Sequence, residues 1–452
     1  MKDELRRELR PMMRLATPLA LAELGWMAMG FVDTVMAGRL GAAEMGAGAL
    51  GSMLFYPLVI CGTGMLMGMD TLVAQSFGAR DDADCRRTLI QALWISLTIA
   101  PVTALLLVSM LPLLRAFGTN PNVLRLLGPF LRALAWGVPP LLVYSAIRHY
   151  LQAVNIVKPI TFAVVSANLV NFCGNWLLMF GHWGAPRLGL EGSGISTSIA
   201  RLYIAGVMVV ALLRHERLRG YPLFHMSWRI EMERIRRLIY LGAAPALQIL
   251  LEGAVFGAVS VLAARLDEVS LAAHGLAVNV IATTYMVPLG ISSAAAVRVG
   301  QAVGRRDPHG AAVSGWTALG LSSVFMGGAA VALWLIPGAI TRLYTPERAV
   351  IVMGVALLRI AAFFELFDGF QVVATGALRG VGDTRSPALA HFTGYWVVGM
   401  PLGYLLCFPW GWGVRGLWVG LTLALILAGV WLVIAWQRAL IATARQNLAR
   451  TP

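Results

Sequence analysis

The chain has little charge and almost no lysine. Charged residues make up 13% of its 452 residues, against about 25% in a soluble domain. The only lysines are Lys2 and Lys158. With no GxxxxGK[ST] motif, no lysine is placed to hold phosphates, which excludes ATP hydrolysis by a Walker site. There is no HExxH and no histidine–cysteine cluster. The four cysteines, Cys61, Cys85, Cys173 and Cys407, have neither CxxC nor metal-ligand spacing, and no pair implies a disulfide. They read as packing residues, and no cofactor is expected. If the protein does work, an ion gradient is the expected source.

What remains is apolar. Hydrophobic residues are 58% and the mean hydropathy is +0.73. A helix crosses the hydrocarbon core with about 20 apolar residues. Twelve such spans are predicted, at roughly 14–38, 46–70, 89–113, 126–151, 159–180, 190–213, 236–264, 271–297, 312–337, 349–378, 387–409 and 414–437. These runs are too long for barrel strands. The fold class is an all-α polytopic membrane protein. The amphipathic start, Met1 to Arg10, leads into a span long enough to remain as a span, so no cleaved signal is expected.

The chain also repeats. Gln75-Ser76-Phe77-Gly78-Ala79-Arg80-Asp81 returns as Gln301-Ala302-Val303-Gly304-Arg305-Arg306-Asp307. Thr17-Pro18 returns as Ala244-Pro245, and Leu151-Gln152-Ala153-Val154 as Leu378-Arg379-Gly380-Val381. The offset stays at 226 (301 − 75) or 227 (244 − 17). Two homologous six-helix lobes are therefore expected, at 1-213 and 238-452, joined by a basic connector at 214-237. Secondary transporters share this layout, with sites at the repeat interface.

The net charge of +14 follows topology rather than nucleic acid. With the N-terminus and every even-to-odd loop assigned to one side, that side carries 25 of 36 basic residues, from Lys2 and Arg6 to Arg450, with Arg148 and Arg379 among them. Both termini are then cytoplasmic by the positive-inside rule, which gives an inner-membrane, multi-pass placement. The connector reads as a topology anchor on anionic lipid.

Chemistry should lie with carboxylates inside the spans, because a buried ionised acid persists only with a partner, a cation or a proton. Asp33, Glu252 and Asp368 stand out. Their repeat equivalents are Ser260, Gly25 and Leu141, so the shared scaffold does not require them. An acid satisfied by a neighbouring hydroxyl or arginine is the bland alternative. Glu23 and Glu365 are accessory candidates. Glu365 sits one turn before Asp368, so the two side chains are candidates for adjacency, and Arg359 is its alternative partner. Asn168, Asn171 and Asn175 share one face, lining either a polar cavity or a helix contact. Arg201 is a counter-ion or an interfacial residue. Met27, Met29, Phe55 and Met286 offer apolar area for a substrate or for ordinary packing. Pro57, Pro139-Pro140, Pro288 and Pro401 permit kinks.

Several segments together carry a family resemblance. Phe31-Val32-Asp33-Thr34-Val35-Met36-Ala37-Gly38 resembles the span-1 signature of MATE (multidrug and toxic compound extrusion) transporters, NorM branch. Asp70-Thr71-Leu72-Val73-Ala74-Gln75 is similar to the family's span-2 end. Asp368-Gly369-Phe370-Gln371 through Gly380, with Gly382-Asp383-Thr384, is similar to its span-10 signature. The resemblance implies a V-shaped pair of lobes around a central cleft. It implies export of cationic amphipathic drugs in exchange for H⁺ or Na⁺ by alternating access, by a monomer. Asp33 with Asn171 and Asn175 matches the proton- and substrate-coupling group, and Glu252 with Asp368 the cation-binding pair. A tyrosine found one turn before the span-10 aspartate is absent here, where Phe364 and Glu365 stand. That weakens a Na⁺ site, unless Glu365 supplies the lost oxygen. The rivals are a lipid-linked-sugar flippase of the same superfamily, whose cavity should be rich in cations, and an intramembrane transferase, for which Asp81-Asp82-Ala83-Asp84 is the lone acid cluster.

Overall fold

The computed structural model describes residues 2–220 and 227–448, and every described regular element is helical. Residues 221–226 of the basic connector, and Arg450, lie outside the described residues. The helices are α1 (Lys2–Gly38), α2 (Ala42–Leu66), α3 (Gly68–Gly78), α4 (Asp82–Ala116), α5 (Pro121–Trp136), α6 (Val138–Ala153), α7 (Lys158–Phe180) and α8 (Leu190–Leu218). Then follow α9 (Met232–Ala264), α10 (Glu268–Gly304), α11 (Pro308–Leu335), α12 (Pro337–Tyr344), α13 (Arg348–Val381), α14 (Arg385–His391), α15 (Met400–Cys407) and α16 (Val414–Leu448).

Among the described residues, eleven helical stretches are long and apolar enough to cross a membrane. They cover eleven of the twelve predicted spans. The twelfth, 387–409, is helical but interrupted: an eight-residue π segment, Phe392–Gly399, separates α14 from α15. Gly394 and Gly399 pack against α16 there, where a Cβ on Gly399 would lie 2.6 Å from that of Ala424. Span 4 is likewise split, at Gly137, just before Pro139-Pro140 in the first turn of α6. Pro57 and Pro288 sit inside unbroken helices.

The contacts divide the chain into two compact units. One comprises residues 1–20, 74–80 and 247–452; the other comprises 21–73 and 81–246. In the first unit the repeated motif meets its own copy. A Cβ on Gly78 would sit 2.8 Å from Gln301 Cα, and one on Gly304 would sit 2.8 Å from the Gln75 carbonyl carbon. The backbone repeats too. Arg80 and Arg306 both adopt left-handed φ, at 61° and 58°, and Asn155 (66°) corresponds to Gly382 (95°). Asp81 and Asp307 each cap the helix that follows, accepting from Asp84 N at 2.9 Å and Gly310 N at 2.7 Å.

Lipid tails offer helices no hydrophobic drive to associate, so close van der Waals contact has to hold them. The α10–α13 seam shows how. A Cβ on Gly380 would lie 2.7 Å from the Ala296 carbonyl oxygen, and Gly376 abuts Ser292, whose hydroxyl donates to Val372 O at 2.6 Å. Larger side chains fill the remaining space of the first unit, with Trp418, Tyr395 and Phe364 fully buried.

In the second unit, the start of α4 anchors the connector's described ends. Asp82 pairs with Arg219 at 3.1 Å and Asp84 with Arg234 at 2.7 Å. Gln91 donates to Arg229 O at 2.9 Å and accepts from Glu231 N at 3.0 Å. The acid cluster 81–84 is thus occupied by caps and arginine pairs. Several residues counted to the basic side prove to be helical and shielded, Arg148 and Arg379 among them. Arg148 lies within α6 and pairs with Glu23, and Arg379 is buried in α13, donating to Ser292 Oγ at 3.3 Å. Helices run beyond the apolar stretches that reveal them, so a charge near a predicted span end can be held inside.

Candidate substrate and coupling-ion sites

Asp33 lies near the end of α1, half-buried, facing α7 and α8. Asn175 Nδ2 donates to Asp33 Oδ1 at 2.6 Å, and Thr197 Oγ1 donates to Oδ2 at 3.2 Å. Asn171 closes the group: its Oδ1 accepts from Asn175 at 3.3 Å, and its own amide donates to Thr197 Oγ1 at 3.3 Å. Ser196 fixes this arrangement from below by donating to Asn171 O at 2.8 Å. Asn171 and Asn175 are one turn apart and fully buried, so α7 presents both amides to one carboxylate. Asn168 is not part of the set, because its amide donates to Gly25 O and Val164 O. Neutral donors hold a carboxylate in place while leaving its charge available to a cation or a proton.

The second acidic group lies in the unit built from residues 247–452. Asp368 and Glu365 are buried on α13, and Glu252 is half-buried on α9. Asp368 is within electrostatic reach of both Glu252 and Glu365. Thr284 on α10 donates to Glu365 Oε1 at 2.6 Å; Arg359, the alternative partner, is exposed and makes no ion pair with it. Gln371 approaches Glu252, although its Nε2 completes no hydrogen bond among the described residues. Gln371 Oε1 accepts from Tyr395 OH at 3.2 Å. None of the ion pairs among the described residues involves Glu252, Glu365 or Asp368. Three carboxylates sharing one apolar neighbourhood cannot all be ionised without a compensating cation or proton. Among the described residues, no three acidic, histidine or cysteine side chains converge as a metal-ligand set.

Phe364 turns its ring toward Phe256 and Trp418, with centroids 6.4 and 6.1 Å away. Behind that wall, His274 accepts at Nδ1 from Trp418 Nε1 at 3.2 Å. Its proton is therefore on Nε2, which donates to Ser260 Oγ at 2.9 Å, and Ser260 donates onward to Phe256 O at 2.9 Å. Ser260 is the repeat equivalent of Asp33. One half carries an acid at this position and the other a hydroxyl bonded to a neutral imidazole.

Glu23 belongs to neither acidic group. It pairs with Arg148, and Arg148's neighbour His149 bonds Asp70 at 2.7 Å. The partners Thr197, Thr284, Gln371 and Tyr395 do not stand out in the sequence. Gln371 is inside the span-10 motif, and a hydroxyl such as Thr197 in an apolar span is common enough to pass unmarked.

Eleven long apolar helical stretches among the described residues mark a multi-pass membrane protein. The MatE family model matches residues 18–177 and again 245–405, the two copies starting 227 apart (245 − 18), as in the internal repeat. The chain is 36% identical over 440 residues to the probable multidrug resistance protein NorM of Mesorhizobium japonicum, covering 96% of this chain and 94% of that one. It is 37% identical over 430 residues to the like-named protein of Burkholderia mallei, covering 94% and 91%. Among solved structures, the eukaryotic MATE transporter AtDTX14 superposes with a TM-score of 0.87 at 18% identity, covering 98% of this chain and 100% of that one. A MOP superfamily transporter from Pyrococcus furiosus gives 0.89 at 16%, covering 97% of each. The chain belongs to the MatE family of transporters.

Proposed function

We propose that this protein exports cationic amphipathic compounds across the inner membrane in exchange for a coupling cation, with both termini cytoplasmic. The observation that carries the proposal is the trio Glu252, Glu365 and Asp368, buried or half-buried, with none of them in an ion pair among the described residues. Such a group takes up a cation or proton and changes its affinity for a second cation when it does. A cation arriving from outside neutralises the acids, a bound drug loses its counter-charge and leaves, and the halves switch access. The coupling then needs only differential affinity between the two access states.

The coupling ion is H⁺ in this reading. Protonation needs no convergent ligand shell, whereas Na⁺ requires several oxygens, and the ring at Phe364 is packed among other rings and supplies none. Asp33 with Asn171 and Asn175 serves as the second charge-bearing site, where substrate and proton compete. No cofactor is needed. The transferase reading loses its one acid motif, because Asp82 and Asp84 are engaged by Arg219 and Arg234.

The test is ethidium efflux by Asp368→Asn and Glu252→Gln in reconstituted vesicles. Both variants should insert and fold, with coupled efflux abolished. Normal pumping by both would remove these acids from the mechanism.

A further inference from the structure

The second unit carries an apolar groove that the coupling scheme leaves unused. It runs between α1 and α7, has a volume of about 290 Å³, and is walled by Phe31 and Val35 on one side and by Phe172 and Trp176 on the other. Arg39 and His182 stand at one end of it, just past the last residues of α1 (Gly38) and α7 (Phe180). Both helices belong to stretches long and apolar enough to cross a membrane, and Phe31 and Phe172 are exposed. The groove therefore turns its rings to the lipid and its charged end to the interface.

The turn after α7 shapes that end. Gly181, Trp183 and Gly184 all adopt left-handed φ, at 77°, 54° and 83°, a strained conformation for a side chain as large as tryptophan. The turn lays His182 on Trp176, with ring centroids 4.2 Å and planes 20° apart, and brings Trp183 edge-on to the same ring at 5.1 Å. Trp183 is 89% exposed, which suits an aromatic anchor at the bilayer surface. Arg187 folds back over the same turn, since a Cβ on Gly181 would lie 2.9 Å from its Cβ. Arg39 and Arg187 are exposed, and none of the ion pairs among the described residues includes either of them, or Glu44 at the start of α2. The groove thus joins apolar walls to a cationic end that no acid of this unit pairs with.

We propose that this groove binds an anionic phospholipid from the leaflet opposite the N-terminus, with an acyl chain along Phe31 and Phe172 and the phosphate at Arg39. Charge complementarity selects the headgroup: a zwitterionic lipid brings its own cation up to Arg39, and an anionic one does not. The same two helices hold the Asp33 group from their other faces. α1 turns Phe31 and Val35 to the groove and Asp33 to Asn175, whose amide donates to it at 2.6 Å. A lipid seated between α1 and α7 supports that bond and ties the acid to the surrounding bilayer. The site itself rests only on the chain's crossing a membrane; the effect on transport rests on the export reading.

The probe is phosphatidylglycerol with a photoactivatable diazirine on an acyl chain, cross-linked to the purified full-length protein in neutral detergent and located by peptide mass spectrometry. Label should fall on residues 31–39 and 172–182. Unlabelled phosphatidylglycerol should displace it at a concentration about fivefold or more below that needed of phosphatidylcholine, as expected for an arginine at the membrane surface. Arg39→Gln should lower the label by about fivefold or more, and Arg39→Lys should keep most of it. Val35→Trp, which fills the groove and leaves the charge, should abolish it. Equal competition by the two lipids, or full labelling of Arg39→Gln, would overturn the site and leave only boundary lipid. Displacement by inorganic phosphate or by ethidium, but not by phosphatidylglycerol, would overturn it in favour of a free anion or a drug. If Arg39→Gln does not fold, the wild-type competition decides. Ethidium efflux by the wild type should be faster in vesicles containing phosphatidylglycerol than in phosphatidylcholine alone, and efflux by Arg39→Gln should be alike in both. Wild-type efflux alike in both would overturn the link to Asp33, whereas protein that takes the label but exports nothing would defeat the export reading and support the site.

Discussion

The bond between Asn175 and Asp33 can be weighed by a double-mutant cycle. At 2.6 Å it is the shortest contact Asp33 makes; the other, from Thr197, is 3.2 Å. A hydrogen bond to a charged group contributes about 1.5–3 kcal/mol. Asn175→Ala removes it and also strands Asn171 Oδ1, which accepts from the same amide. Asp33→Ala removes it from the other side. The coupling energy from Asn175→Ala, Asp33→Ala and the double variant should therefore be about 1.5–3 kcal/mol at mildly alkaline pH, where the carboxylate is charged. In acid, with the carboxyl neutral, it should fall to about 0.5–1.5 kcal/mol. Unfolding in mixed detergent micelles, followed by tryptophan fluorescence, gives all four stabilities. Additivity to within about 0.5 kcal/mol at both pH values would refute the argument, because Asp33 would then gain nothing from the amide that touches it.

Two structural predictions use the same unfolding assay. Glu23→Gln leaves Arg148 uncompensated and should cost about 3–5 kcal/mol; adding Arg148→Gln should recover most of that, with transport per folded molecule retained. A complete loss of transport in the double variant would instead put Glu23 in the coupling machinery. His274→Leu orphans the Trp418 indole N–H and should cost about 1–3 kcal/mol, while His274→Gln, which can accept from Trp418 and donate to Ser260, should cost less. Equal losses for the two would show that the imidazole's bonds are not what holds that wall.

Most of the span pattern is readable from hydropathy, because a lipid-facing helix must be apolar along its whole length. The π interruption at Phe392–Gly399 is not readable in this way, since it arises where Gly394 and Gly399 seat against α16, a neighbour no local pattern reveals. The repeat was legible down to backbone conformation, with Arg80 and Arg306 sharing left-handed φ. Asp33, Glu252 and Asp368 were legible because an acid in an apolar span is rare. Thr197, which donates to Asp33, and Thr284, which donates to Glu365, are ordinary residues in such spans, and only the packing of α8 and α10 brings them to the carboxyls. Arg148 misled for the complementary reason. Counted by sequence it is a loop charge, and only its pairing with Glu23 holds it inside α6.

If the buried acids couple export to a cation gradient and the cation is the proton, the imposed gradient decides whether substrate moves. Ethidium efflux from purified protein in liposomes tests it directly, with a proton gradient and a sodium gradient imposed separately. Efflux should occur under the proton gradient alone, and not under sodium alone. Efflux under sodium alone would contradict the proton assignment and put the weight on oxygen ligands at Glu252, Asp368 and Glu365. Folded protein that is inert under both gradients would contradict coupled export altogether.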